Sequence, residues 1–375
     1  MPRAQLNLCM RFSIYLNAQS PGPEYDLDVI DAITAQAVLA DRSGFAGICL
    51  TEHHFTGYNT YGNPFTFGAY LAPQLQNAHV VLSVAVPALW NPMNFAEAVN
   101  TLDLLTRGRC VIGVGTGGSP QEYKGLGRDP AQRGELMEEV IRIAMEAMGK
   151  NEDGPELPYQ TPHSQGVLTR RIMPTSFTKP HPHFARAALS DESIVYTANH
   201  GWALMTAREA VPETARKLKL YHATLEAAGH DEATLSFCRE WSMVQKMIYV
   251  GESDEQAMTD VDEPLNYLAR QSAKSFGGTA EGAGFKNSIV GVSAVDREGF
   301  LDKAMIVGGP DTVAESIAEY QAAGVDHMTL VFIYGQLNPA LAAASLRRFI
   351  DEVMPRFSGP VEAARGITAA HATSD

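Results

Sequence analysis

Two adjacent histidines, His53 and His54, follow Glu52 directly after a short apolar run, and a loop rich in Gly, Asn, Tyr and Thr comes next. An imidazole titrates near neutral pH, so such a pair suits proton transfer or metal binding. Neighbouring residues on a strand point to opposite faces, and no third ligand stands at a recognised spacing, so a shared metal is disfavoured and no metal site is predicted. One of the two histidines can therefore face a site, and the other needs a partner elsewhere.

The elements that position these residues repeat along the chain as a short β-like run, a polar loop and a segment of helical periodicity. This alternation predicts parallel strands with helical crossovers, and eight such units predict a closed (β/α)8 TIM barrel, an α/β fold. The strands are expected near residues 8–16, 45–51, 79–86, 109–115, 183–189, 202–206, 242–250 and 328–333.

A single domain is expected to span residues 1–375, with insertions at about 150–180 and 254–303 and a peripheral tail at 357–375. Both insertions contain stretches rich in Pro, Gly or polar residues without clear periodicity. Long loops of this kind in a compact domain are typically lids or binding loops. We therefore expect insertion loops that cap the C-terminal mouth of the barrel.

The formal net charge of -14 argues against non-specific binding to nucleic acid or to an anionic membrane. No run approaches the length of a membrane span, and the first residues lack the pattern of a signal peptide, so the expected location is the cytoplasm. The cysteines show no metal or disulfide spacing and are expected to be buried thiols. They are Cys9, Cys49, Cys110 and Cys238.

Active sites of such barrels form on the loops that follow the strands. Ser190 and Ser193 frame the start of a helix after the fifth strand, where free N–H groups attract phosphate, although the same pattern is typical of an N-cap without a ligand. Gly113, Gly115 and Gly118 approximate a dinucleotide-binding motif, but no helix opens directly after them, and that interpretation is rejected. A glycine-lined strand end that admits a flat ligand is the better account.

Four segments in chain order resemble the bacterial luciferase-like flavin monooxygenases. LTEHHFTGYNTYGNPFTFGAYLA resembles the second-strand segment of that family. AEAVNTLDLLTRGRCVIGVGTGGSPQEYKGLG resembles the family's helix, Gly-Arg turn, fourth strand and following loop. LSDESIVYTANHG and MIVGGPDTVAESIAEYQAAGVDHMTL resemble its phosphate segment and its closing unit. The similarity extends over nearly the whole chain.

The resemblance implies a barrel that binds reduced FMN and uses O2 as co-substrate, through a flavin hydroperoxide, to oxygenate a small organic substrate by hydroxylation or Baeyer–Villiger-type insertion. It also implies a homodimer and a separate NAD(P)H:flavin reductase that supplies the reduced flavin. Two alternatives stay open: a deazaflavin-dependent dehydrogenase on the same barrel, and a flavin-binding protein without catalysis.

Carried over residue by residue, the resemblance makes His53 the active-site histidine, with Glu52 orienting it or holding the loop. Ser83 and Val84 fall where the family supports the flavin ring, often with a cis peptide, and Thr116 replaces a phosphate-contacting Arg. The expected cofactor-binding residues are Ser83, Val84, Ala85, Gly115, Thr116, Ser190 and Ser193. The expected substrate wall, which plain packing explains equally well, is Tyr61, Phe65, Trp90, Tyr123 and Trp241.

Overall fold

The computed structural model describes residues 9–275 and 297–357. The strands, numbered in chain order, are β1 Arg11–Leu16, β2 Gly47–Leu50, β3 His79–Ala85, β4 Cys110–Val114, β5 Leu157–Gln160, β6 Gln165–Leu168, β7 Phe184–Ala187, β8 Ala203–Ala207, β9 Met243–Val250, β10 Met305–Gly308 and β11 His327–Val331.

The helices alternate with these strands, and none of those described has the length and apolar character needed to cross a membrane. They are α1 Asp26–Arg42, α2 Pro64–Leu71, α3 Pro92–Thr106, α4 Pro120–Gly125, α5 Arg133–Met148, α6 Asp191–Asn199, α7 Val211–Ala227, α8 Glu232–Trp241, α9 Asp254–Ser275, α10 Arg297–Ala304, α11 Pro310–Ala322 and α12 Pro339–Arg348.

A closed parallel barrel forms the centre of the molecule, in the order β1, β2, β3, β4, β7, β8, β9 and β11. β11 pairs with β1, and β8 pairs with β9, which closes the cylinder. Each of the strands expected from the sequence forms one strand of this barrel, so the predicted (β/α)8 barrel is confirmed. β2, β4 and β11 are buried at every position because side chains fill the barrel on one face and helices cover the other.

Three short strands lie outside the barrel and were not expected. β10 adds to the C-terminal half of β9 in parallel, and β5 and β6 pair as an antiparallel hairpin inside the expected insertion at 150–180. The expected insertion at 254–303 begins with α9 and ends with α10, while its residues 276–296 lie outside the described part of the chain. The tail from 358 onward also lies outside it, so the domain boundaries stay a prediction.

The helices that follow β2, β3 and β4 begin at sequence signals that the loops before them supply. α2, α3 and α4 each start at a proline, whose fixed φ suits the first helical position. Asn63, Asn91 and Ser119 precede these prolines, and each side chain accepts a hydrogen bond from a backbone N–H in the first turn. These caps fix the ends of three loops at the C-terminal mouth of the barrel.

Candidate active site

A cavity of about 240 Å³ opens at the C-terminal end of the barrel, where the ends of its strands meet. It brings together six of the residues that the sequence nominates, from the ends of β2, β3 and β4. They are Glu52, His53, Ser83, Val84, Gly115 and Thr116. This is the end of the barrel at which (β/α)8 enzymes carry their active sites.

His53 is held by a carboxylate from another loop. Its Nδ1 lies 3.0 Å from Oε1 of Glu122, a residue of α4 that is only 2% exposed. The same oxygen accepts hydrogen bonds from the backbone N–H of His54 at 3.2 Å and from Oγ1 of Thr56 at 3.1 Å. The Tyr58 ring packs edge-on against the imidazole, with centroids 4.7 Å apart. Because the carboxylate takes Nδ1, the ring orientation is fixed and Nε2 is the nitrogen left for a ligand.

His54 has a carboxylate of its own. Its Nε2 lies 2.8 Å from Oε1 of Glu52, which is buried. Glu52 also accepts hydrogen bonds from Nε1 of Trp90 at 2.9 Å and from the backbone N–H of Val86 at 2.7 Å. The hydrogen bond with Glu52 raises the pKa of His54 above its ordinary value, against the opposing effect of burial. Glu52 therefore holds the loop after β3, and it is Glu122 that orients His53.

Val84 and Gly115 lie against each other in the wall of the cavity that His53 lines. The Ser83–Val84 peptide bond is cis, at the place where the resemblance implies a cis peptide. A Cβ atom on Gly115 would lie 2.8 Å from Cγ2 of Val84, so a side chain there would displace Val84. The backbone of the next residue, Thr116, is fixed by a hydrogen bond, because the Tyr123 hydroxyl donates to its carbonyl oxygen at 2.5 Å. A planar group can lie against this wall close to the backbone.

Sequence comparison agrees with this arrangement. Residues 10–327 of the 375 match the family described as luciferase-like monooxygenase. The chain belongs to that family. This luciferase-like chain is an oxidoreductase that incorporates oxygen, as the resemblance implied.

Relatives of this luciferase-like chain are distant in sequence and close in fold. The oxygenase component of flavin-dependent trigonelline monooxygenase from Acinetobacter baylyi is 24% identical over 366 residues, which is 93% of this chain and 96% of the relative. Monooxygenase RslO1 from Streptomyces bottropensis superposes with a TM-score of 0.77 at 19% identity, over 93% of this chain and 100% of that one. The oxygenating constituent of 3,6-diketocamphane monooxygenase from Pseudomonas putida, solved with FMN, gives 0.73 at 18% identity, over 93% and 99%.

Ser190 and Ser193 of the luciferase-like chain lie at the start of α6 and do not line the cavity. They bond to each other as a capping box: the Ser193 N–H donates to Oγ of Ser190 at 3.3 Å, and the Ser190 N–H donates to Oγ of Ser193 at 3.2 Å. This is the N-cap that the sequence left open as the alternative to a phosphate site. Ser190 is exposed, so the helix start remains accessible to an anion.

None of the aromatic residues expected in the substrate wall lines the cavity. The Tyr61 hydroxyl donates to the carbonyl oxygen of Leu16, and the rings of Phe65 and Trp90 pack edge to face at 5.1 Å. Tyr123 is buried with its hydroxyl on Thr116. Ala85, expected at the cofactor, is also buried away from the cavity. These residues support the walls from behind, which is the packing role that the sequence left open.

The prediction that Trp241 belongs to a substrate wall is wrong. Its ring lies 4.6 Å from that of His79, the first residue of β3, and the Arg11 guanidinium lies 4.7 Å from the ring centroid. Both neighbours begin strands, so Trp241 occupies the amino-terminal end of the barrel. The physical reason is its position at the end of α8, directly before β9, because a residue that precedes a strand lies at the end opposite the mouth.

Several polar residues of the site escaped the sequence reasoning. Glu122 stands three residues after Ser119, a spacing typical of a capping box. This spacing indicates a local role at the start of α4 and gives no sign of the contact with His53. The cavity is also lined from the ends of β1 and β8, where the sequence analysis predicts no site residue, by Asn17, Thr206 and Arg208. The signal that identifies them is position alone: a polar residue at the C-terminal end of a barrel strand.

The raised pKa of His54 predicts a pH-dependent contribution to stability. The protonated pair with Glu52 stabilises the folded chain below the unfolded-state pKa of about 6.5, and this contribution is lost as pH rises through the higher folded-state pKa. We therefore expect His54→Gln to reduce the free energy of unfolding by about 1 kcal/mol more at pH 6 than at pH 9. Urea denaturation at both pH values measures this. His200→Gln, at an exposed histidine after α6, is the control, and an equal loss for His54→Gln at both pH values contradicts the pairing.

Proposed function

We propose that this chain is the oxygenase of a two-component system that uses reduced FMN and O2 to oxygenate a small organic molecule, by hydroxylation or Baeyer–Villiger-type insertion. The observation that carries the proposal is the cavity that the carboxylate-oriented His53 lines together with Ser83, Val84 and Gly115. A barrel end that places an oriented imidazole in the same cavity as an apolar stretch of wall suits a planar redox cofactor.

The residues present fit such a group. Val84 and Gly115 supply a surface on which a ring can lie, and polar side chains from β1, β8 and β9 surround the rest of the cavity. Bound reduced FMN would supply the electrons that activate O2, since oxygen chemistry belongs to the cofactor and orientation to the protein. The barrel walls would shield the reacting atoms from bulk water.

His53 would hold or move a proton at Nε2. Glu122 takes Nδ1, so a neutral imidazole that donates there presents a lone pair at Nε2, and a protonated one presents an N–H. The tautomer follows from this hydrogen bond. Either form can exchange a proton with a group bound at Nε2, because that nitrogen accepts in the first and donates in the second. Glu122 would act through His53 by fixing the ring.

The phosphate would be bound at the start of α6. The positive end of the helix dipole and the first-turn N–H groups favour an anion there, and the hydroxyls of Ser190 and Ser193 can turn toward it. Thr116 offers a hydroxyl where the family resemblance implies an Arg, so the helix start would carry more of the phosphate binding. Support for a separate NAD(P)H:flavin reductase comes from the relative named as an oxygenase component. A homodimer and a cytoplasmic location complete the proposal.

The decisive experiment adds reduced FMN to the purified chain without oxygen, and then adds O2 in the absence of substrate. We expect binding of reduced FMN, followed by consumption of one O2 and release of one H2O2 per FMN at a rate that differs from that of free reduced FMN. A reduced deazaflavin is the parallel probe. Binding of the deazaflavin with no binding of FMN would support the dehydrogenase alternative and contradict the proposal.

Replacing His53 should separate binding from catalysis. We expect His53→Ala to change the Kd of FMN by less than about threefold while lowering turnover by about 10² or more, the scale of general acid–base catalysis. Glu122→Gln should lower turnover by about tenfold, since it loosens the ring without removing it. The measurements are FMN fluorescence titration and turnover of the first ketone or aldehyde in a test panel that the parent chain oxygenates. Equal turnover in His53→Ala and parent removes His53 from the mechanism.

The double variant Ser190→Ala, Ser193→Ala should weaken FMN binding by about 1 to 3 kcal/mol, the scale of lost hydrogen bonds to a charged group. Removing the cap also costs the helix about 1 kcal/mol of stability. Asp231→Ala is therefore the matched control, because Asp231 caps α8 through the Thr234 N–H and its loss should leave FMN affinity unchanged. Isothermal titration calorimetry measures the affinity of the double variant and of the control for FMN and for riboflavin. Unchanged FMN affinity in the double variant would place the phosphate elsewhere.

A further inference from the structure

The cavity wall contains Oδ1 of Asn17 and Oγ1 of Thr206, which are buried and have no hydrogen bond to any described residue of the chain. Asn17 is 8% exposed and Thr206 is 3% exposed. Leaving a buried polar atom unpaired costs about 1 to 3 kcal/mol, so folded proteins rarely keep one without a reason. Both atoms lie in the same cavity as His53, which suggests that a ligand satisfies them.

Two other polar side chains of the barrel are paired within it. Thr329 lines the same cavity, but its hydroxyl donates to Sγ of Cys49 at 3.3 Å. Ser13, on β1, is hydrogen-bonded through Oγ to Nε2 of His327 at 2.7 Å. A hydroxyl inside this barrel can thus find a partner within the chain, as those of Thr329 and Ser13 do, whereas that of Thr206 does not.

The segment that carries Asn17 is fixed by its neighbours. The Gln19 amide donates to the carbonyl oxygens of Asn17 at 3.1 Å and Tyr58 at 2.7 Å, and its own carbonyl accepts from the Gly335 N–H at 2.6 Å. Thr206 is fixed by its place in β8, between β7 and β9. Both side chains are thus presented from rigid elements, which is the arrangement that precise ligand binding requires.

Resting on the proposed function, we propose that Asn17 and Thr206 bind the imide edge of the flavin ring, where an N–H stands between two carbonyl oxygens. A primary amide offers an acceptor and a donor side by side and so matches an N–H and the carbonyl beside it, whichever way the amide is turned. The Thr206 hydroxyl can donate to a carbonyl of the same edge. The two residues belong to the ends of β1 and β8, which are not neighbours in the barrel, so they would bind this edge from two sides.

The test compares FMN with 3-methyl-FMN, in which a methyl group replaces the imide hydrogen. Fluorescence titration gives the Kd of each for the parent chain, Asn17→Leu and Thr206→Val. We expect Asn17→Leu to weaken FMN binding by about tenfold and Thr206→Val by about fivefold, as a lost hydrogen bond would. The methyl group should weaken binding to the parent by about tenfold and should have little further effect on Asn17→Leu.

Two controls separate ligand binding from folding. Thr329→Val makes the same chemical change in the same cavity at a hydroxyl that is already paired, and it should bind FMN as the parent does. The ligand-free variants Asn17→Leu and Thr206→Val should melt at the parent's Tm or above, because each removes a buried unpaired polar atom. A lowered Tm in both would show a structural role and overturn the proposal.

Three further outcomes would contradict either the inference or the proposed function. If Asn17→Leu and Thr206→Val bind FMN as tightly as the parent and all three discriminate against the methyl group equally, the imide edge is bound elsewhere and the inference falls while the proposed function stands. If the variants change only the KM for a substrate, the two residues belong to the substrate and the inference falls. If the parent chain binds no FMN, the proposed function itself falls.

Discussion

The buried carboxylate of Glu122 is the interaction on which the site depends. One of its oxygens receives the His53 ring, the His54 backbone N–H and the Thr56 hydroxyl, so it fixes the loop after β2 against α4. Glu52 makes the second connection, from that loop to Val86 and Trp90 after β3. Three loops that would otherwise move independently at the barrel mouth are thereby joined through two carboxylates, and a buried network that is fully bonded in this way is rigid.

The adjacent histidines have different roles because each has its own carboxylate. His54 pairs with Glu52 beneath the loop, and His53 pairs with Glu122 at the cavity. Strand alternation in the sequence already indicated that the two must separate, and the family resemblance selected His53 for the cavity. Which carboxylate serves which histidine was beyond the sequence, because Glu122 is about 70 residues away and stands in a pattern typical of a helix cap.

The barrel was predictable because short β-like runs alternate with helical segments along the chain. β10 is a four-residue strand that pairs at the side of the barrel with β9 alone among the described strands, a position that its own sequence does not reveal. Trp241 was misplaced although the chain order indicates its position: it directly precedes the strand predicted at 242–250, and a residue that precedes a strand lies at the end opposite the mouth. Unpaired atoms such as Oδ1 of Asn17 are invisible in a sequence, since only the packed structure shows which partners are out of reach.

The crystal structure of the chain with FMN tests the central claim most directly, namely that the Glu122-bound histidine and the Val84 wall together form the cofactor site. The account predicts the flavin ring inside the cavity, against Val84 and Gly115, with Nε2 of His53 toward the ring and the bond from Nδ1 to Glu122 unbroken. A flavin bound outside this cavity, or one that displaces His53 from Glu122, would contradict it.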